Sequence, residues 1–225
     1  MRLIRRTHGK HDMHDYCSRR IAFHVICCLA SIFVSALAAH AQQAHWSPFW
    51  DEVAARPDVK VVDGTDHKGA ETRRIEFPSG VSFNLTREGD KIWAFGADTS
   101  GHGAVQCSWE LYLGARSYVE ACLPGEDPSF EARLDSALDR MNDFIVENSL
   151  VPTAKSQLQE AVEKRKRLAR EQLRGLSDDD RRKKCEGNVM RPLIDRMKSV
   201  SHDAWVAGLD KSLSVKRPPV MNPCL

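Results

Sequence analysis

The hydrophobic pattern of this chain changes its period near residue 128, and this change constrains the fold most. Between residues 59 and 123, apolar and polar side chains alternate, which is typical of strands that bury one face. From residue 128, apolar residues recur at three- and four-residue spacings, which is typical of helices with one buried stripe. The order predicts an α+β fold, with an antiparallel β-meander over about residues 59–123 followed by three to four helices packed on its apolar face.

Turn-forming residues divide the first part into predicted strands at 59–63, 71–77, 81–87 and 91–97. Pairing about the turns Pro78-Ser79-Gly80 and Glu88-Gly89-Asp90 assigns seven apolar residues to one buried face. These are Ile75, Phe77, Val81, Phe83, Leu85, Trp93 and Phe95. A further hairpin is predicted from 105–113 and 117–123, with its turn at Gly114-Ala115.

Capping residues mark the predicted helix starts in the second part. Asp127 precedes Pro128 at the first of these, and Pro152-Thr153 begins the second. Ser177 and Ser201 open two more. The first helix carries a regular apolar stripe, formed by Phe130, Leu134, Leu138, Met141 and Ile145.

The N-terminal segment has the pattern of an export signal. A basic stretch ends in Arg19-Arg20, an apolar run covers residues 21–39, and Ala39-His40-Ala41 closes it. We predict cleavage between Ala41 and Gln42, in a bacterial protein that is periplasmic or secreted. The apolar run is also long enough to span a bilayer, so an uncleaved anchor is the alternative. The true start can be either Met1 or Met13.

The predicted organisation is a signal peptide at 1–41, a lead-in and antiparallel sheet at 42–127, and a helical part at 128–225 in one domain with the sheet. Residues 42–225 carry 27 basic and 29 acidic side chains, a net charge of −2. That balance argues against nucleic-acid binding. The expected partner is an envelope protein or an anionic envelope component, and the membrane only if the anchor is retained.

Four cysteines remain after the predicted cleavage, and an even set in an oxidising compartment predicts disulfides. We expect the pairs Cys107–Cys122 and Cys185–Cys224. The first pair flanks the predicted turn at Gly114-Ala115, and the second would attach a proline-rich tail to a helix. No cofactor is predicted, and no metal site, since the cysteines lack C-x2-C spacing.

The loop after the fourth predicted strand holds the best candidates for chemistry. Asp98, Ser100 and His102 supply a carboxylate, a hydroxyl and an imidazole among glycines that allow a ligand close to the backbone. A turn-forming polar loop explains the same residues. The expected function is therefore a non-enzymatic binding or accessory module of the envelope. The alternatives are a small envelope hydrolase that uses the 98–103 loop, and a membrane-anchored structural protein.

Overall fold

The structure, a computed structural model, describes residues 46–224, which contain four strands and seven helices. The strands are β1 (Lys60–Thr65), β2 (Glu71–Glu76), β3 (Val81–Glu88) and β4 (Lys91–Asp98). The helices are α1 (Pro48–Ala54), α2 (Val105–Cys122), α3 (Pro128–Asn148), α4 (Lys155–Glu171), α5 (Asp178–Glu186), α6 (Met190–Ser199) and α7 (His202–Leu213). The predicted signal peptide and its cleavage site at Ala41/Gln42 lie outside the described residues.

The four strands form one antiparallel sheet in the order β1-β2-β3-β4. Gly80 adopts a positive φ of 85° in the β2–β3 turn, and a Cβ there would lie 2.9 Å from the Ser100 backbone. Only glycine fits both demands at this position. The α+β class and the meander are confirmed, and the meander ends at Asp98.

The predicted placement of Trp93 and Phe95 on the buried face is wrong. β3 and β4 meet through a two-residue turn, Gly89-Asp90, so Glu88 lies opposite Lys91. The predicted turn, Glu88-Gly89-Asp90, has three residues, and the difference of one residue moves every side chain of β4 to the other face. Ala94 therefore shares the face of buried Leu85, and the two aromatic rings point away from it.

The predicted hairpin over 105–123 is also wrong, because this segment is helix α2. Its buried apolar residues Val105, Trp109 and Leu113 recur every four positions, which is a helical spacing that also fits part of a strand pattern. Gly114, expected in a turn, lies within the helix. A Cβ at this position would lie 3.3 Å from the Met190 methyl group, so the glycine lets α6 approach closely.

The covered face of the sheet packs against α1, the start of α2 and the segment after α7. Trp46 is buried, and the guanidinium groups of Arg73 and Arg87 lie over its ring at 5.4 and 5.0 Å from the centroid. Arg73 also bonds Asp51 of α1 at 2.9 Å and Asp63 of β1 at 2.7 Å. These contacts fix the lead-in to the sheet at a charged, partly buried junction.

The helical half follows the predicted stripe and caps closely. Asp127 caps α3 through the Phe130 amide, and all five residues of the predicted α3 stripe are buried. Ser177 and Ser201 cap α5 and α7. The second predicted helix starts later than expected, at Lys155, because Ala154 and Gln157 form its first turn.

Two disulfides are present, but both predicted pairings are wrong. The structure pairs Cys107 with Cys224 and Cys122 with Cys185, at Cα separations of 5.4 and 5.7 Å. The expected first pair requires a hairpin, whereas Cys107 and Cys122 lie at opposite ends of α2. Each end of this helix is therefore attached to a different later segment.

Gly96 makes room for the returning C-terminal segment, which gives a first testable prediction. A Cβ at Gly96 would lie 2.5 Å from Val220 Cγ1 and 3.0 Å from Phe83 Cε1. We expect Gly96→Ala to lower the free energy of unfolding by about 1–3 kcal/mol through overpacking, measured by urea denaturation. Gly208→Ala is the control, because a Cβ there has no neighbour within 4 Å. Equal effects of the two substitutions would contradict the tight packing of Val220.

Candidate functional site

Asp98, the carboxylate predicted for chemistry, forms a buried ion pair with Arg217. Arg217 Nε donates to Asp98 Oδ2 at 2.6 Å, and the side chains of Arg217 and Asp98 are 0% and 1% exposed. The same guanidinium donates to the Gly103 and Val215 carbonyls at 2.6 and 2.9 Å. The carboxylate is thus committed to joining β4 to the segment after α7.

The surroundings of Asp98 keep it ionised. Burial by itself would raise the pKa of this carboxyl, but hydrogen bonds from Ser100 and Arg217, together with the charge of Arg217, lower the pKa below its usual value. A general acid or base working near neutral pH needs a shift in the opposite direction. The electrostatics indicate a structural role for Asp98.

Ser100 and His102 do not form a nucleophile–base pair. Ser100 Oγ accepts a hydrogen bond from the His102 backbone amide at 3.1 Å. The His102 ring lies instead against the end of α7, with Nδ1 2.8 Å from the Lys211 carbonyl and 3.4 Å from Ser214 Oγ. Asp98, Ser100 and His102 are close in sequence, but their side chains bind different groups that fix the loop. They do not converge on one reacting atom.

Many basic side chains of the helical half are paired with acids. Arg116, almost buried, contacts Glu120, Glu131 and Asp135 at 3.1, 3.4 and 2.7 Å. Further ion pairs join Lys155 to Asp139 and Asp143, Arg165 to Glu110, Lys166 to Glu163, Arg170 to Glu120 and Arg182 to Asp179. This pairing reduces the attraction of the helical surface for an anionic envelope component.

The uncovered side of the sheet, here named the open face, carries large apolar side chains in solvent. Trp93, Phe95 and Val62 are 59%, 53% and 46% exposed. Two rows of paired residues cross the open face, Gly64–Thr72–Thr86–Trp93 and Val62–Arg74–Asn84–Phe95. With strands about 4.8 Å apart, each row spans about 14 Å.

Polar groups hold the open face in shape. Trp93 Nε1 donates to Glu88 Oε2 at 3.1 Å, which orients the indole ring. The Glu76 carboxylate accepts hydrogen bonds from Lys60 Nζ at 3.3 Å and from Arg74 Nε at 2.7 Å. These bonds lower the pKa of Glu76, and the bond from Lys60 has the larger effect. The aromatic rings thus lie on edge strand β4, and these ionised side chains lie on β1 and β2.

A shallow groove of about 360 Å³ lies on the neighbouring strands β1, β2 and β3. It exists partly because Gly64 has no side chain to fill the row. Hydroxyl, amide and guanidinium groups line the groove, supplied by Thr72, Thr86, Asn84 and Arg74. The open face therefore offers stacking surface and hydrogen-bonding groups side by side.

The open face was not predicted, because the predicted three-residue turn places both aromatic rings in the core. A signal was available in Gly89-Asp90, since a glycine followed by a polar residue favours a two-residue hairpin turn. Gly89 has a positive φ of 61°. A two-residue turn at this position places Trp93 opposite Thr86, on the open face.

Comparisons with protein-family models, curated proteins and solved structures gave no match to this chain. Among residues 46–224, no group of three His, Cys, Asp or Glu side chains is placed to hold a metal ion. Over the same residues, no helix is both long and apolar enough to cross a bilayer. The open face, with its exposed aromatic rings beside hydrogen-bonding groups, is therefore the candidate binding site.

Proposed function

We propose that this chain is a non-enzymatic binding protein of the bacterial periplasm or cell envelope, and that it docks a partner protein through the open face. The observation that carries the proposal is the inverted pattern of β4. This strand turns Ala94 and Gly96 toward the covered face and presents Trp93 and Phe95 to solvent. Exposed aromatic rings contribute little to the stability of the fold, whereas burying them against a partner contributes strongly to binding.

The residue types of the open face favour a protein partner. Tryptophan and arginine are enriched among the side chains that dominate protein–protein binding energy, especially where polar residues surround them. Here Trp93 and Phe95 lie on edge strand β4, and Arg74 lies on the same face two strands away, across Asn84. The open face therefore combines apolar rings with polar and charged groups, as docking surfaces do.

The compartment rests on the N-terminal pattern and on the two disulfides, which are compatible with an oxidising environment. The anchored alternative depends on residues outside the described part of the chain. The hydrolase alternative gains no support from the 98–103 loop, since Asp98 is bound to Arg217 and the His102 ring contacts Lys211.

Removing the exposed rings should abolish docking without unfolding the protein. Trp93→Ser with Phe95→Ser is expected to weaken partner binding about a thousandfold, because truncating such anchors costs about 2 kcal/mol or more each and about 1.4 kcal/mol is a factor of ten. A photo-crosslinking residue at position 86, opposite Trp93 on the open face, identifies the partner in an envelope extract. The purified partner is then titrated against wild type and variant.

Val189→Ser provides the matched control, because Val189 is 88% exposed and lies away from the sheet, between α5 and α6. It should bind as wild type does. Equal binding by all three proteins would contradict the proposal. So would ring-dependent binding of a glycan instead of a protein, or ring-dependent self-association of the purified chain.

A further inference from the structure

A cleft of about 760 Å³ lies on the covered side of the sheet, away from the open face. Its walls come from α1, the β2–β3 turn, the segment between α3 and α4, and the segment after α7. α1 packs on the covered face, where the Trp50 and Phe83 ring centroids are 5.3 Å apart. The cleft has the size of a site for a small ligand or a few peptide residues.

The cleft has an apolar lining. Val53 and Phe77 are nearly buried in this lining, and Leu150 is half-buried beside them. Such a lining favours contact with an apolar side chain of a ligand.

The charges of the cleft are only partly neutralised. Arg56 is bound to Asp58 at 2.9 Å, and Arg217 is bound to Asp98. The other charged side chains of the lining form no ion pair with a described residue, and they are Glu52, Glu147 and Lys216. Two carboxylates against one ammonium leave a net negative charge, which favours a cationic ligand.

We infer that this cleft binds a short peptide segment that carries an apolar and a basic side chain. The apolar side chain contacts Val53, Phe77 and Leu150, and the lysine or arginine pairs with Glu52 and Glu147. Peptides supply both side chains within a few residues, and the site shares no residue with the open face.

The test uses three blocked tripeptides that differ at one position: acetyl-Phe-Lys-Leu-amide and its Gln and Glu counterparts. Their binding to wild-type protein is measured by titration, followed by amide chemical shifts. We expect the Lys peptide to bind at least about fivefold tighter than the Gln peptide, and the Glu peptide to bind most weakly. Raising the salt concentration should reduce these differences.

Glu52→Gln with Glu147→Gln should weaken binding of the Lys peptide about tenfold and bring it close to the Gln peptide. Glu160→Gln, at an exposed position on α4, is the matched control and should change nothing. Trp93→Ser with Phe95→Ser should also leave peptide binding unchanged, which separates this inference from the proposed function.

Three results would overturn the inference. The first is an absence of peptide binding at millimolar concentration. The second is equal affinity of the three peptides for wild type, a comparison that needs no variant to fold. The third is a set of shifted amides on the open face instead of around Ser79 and Leu150.

Discussion

Arg217→Met is expected to lower the free energy of unfolding by about 3–5 kcal/mol, because it leaves the Asp98 carboxylate buried without its counter-charge. The pair is almost fully enclosed, and Arg217 also lies over the Phe144 ring at 5.4 Å. Guanidinium denaturation at neutral pH measures the loss. Arg182→Met is the control, since its pair with Asp179 is exposed and should contribute less than about 1 kcal/mol.

The same pair predicts the response to acid. The lowered pKa of Asp98 means that its stabilisation is fully present above the unfolded-state pKa of about 3.9. The stabilisation is lost as the pH falls through the lower pKa of the folded state. Asp98→Asn should therefore be less stable at neutral pH and lose less stability below about pH 4. Parallel acid curves for variant and wild type would contradict this role.

Removing either disulfide should lower the free energy of unfolding by about as much as Arg217→Met. On the chain-entropy estimate, closing loops of 63 and 117 residues contributes about 4 and 5 kcal/mol, for Cys122–Cys185 and Cys107–Cys224 respectively. Each pair is replaced by alanines, and unfolding is measured for both variants beside oxidised wild type. Losses below about 1 kcal/mol would show that the bonds constrain the unfolded chain little.

Peptide mapping without reduction checks the connectivity independently. Trypsin separates the four cysteines into peptides 92–116, 117–133, 185–196 and 217–225. We expect peptide 92–116 to be linked to 217–225, and 117–133 to 185–196. A link between 92–116 and 117–133 would contradict the structure and restore the pairing inferred from a hairpin.

Local signals in the sequence account for much of the fold. Asp127, Ser177 and Ser201 mark helix starts because each cap satisfies amides of its own first turn. Gly80 marks its turn through a backbone conformation that other residues resist. Such features depend on a few adjacent residues, so a single sequence is sufficient to predict them.

The remaining features depend on contacts distant in sequence. The choice of helix for 105–122 is settled by packing of α2 against α3 and α4, which tertiary contacts impose on an ambiguous pattern. The disulfide pairing follows from that helix. Nothing near Asp98 in the sequence indicates a partner 119 residues away, so the sequence predicts a turn-forming polar loop without the buried ion pair that fixes it.

The segment after α7 returns to the sheet, and this return has a consequence for the order of folding. Asn222 bridges to Ala97 of β4, and Cys224 bonds to Cys107. During synthesis, β4 is complete long before residues 214–224 are added to the chain. The fold can close only after these last residues are available, and until that moment the edge of β4 needs protection from other chains.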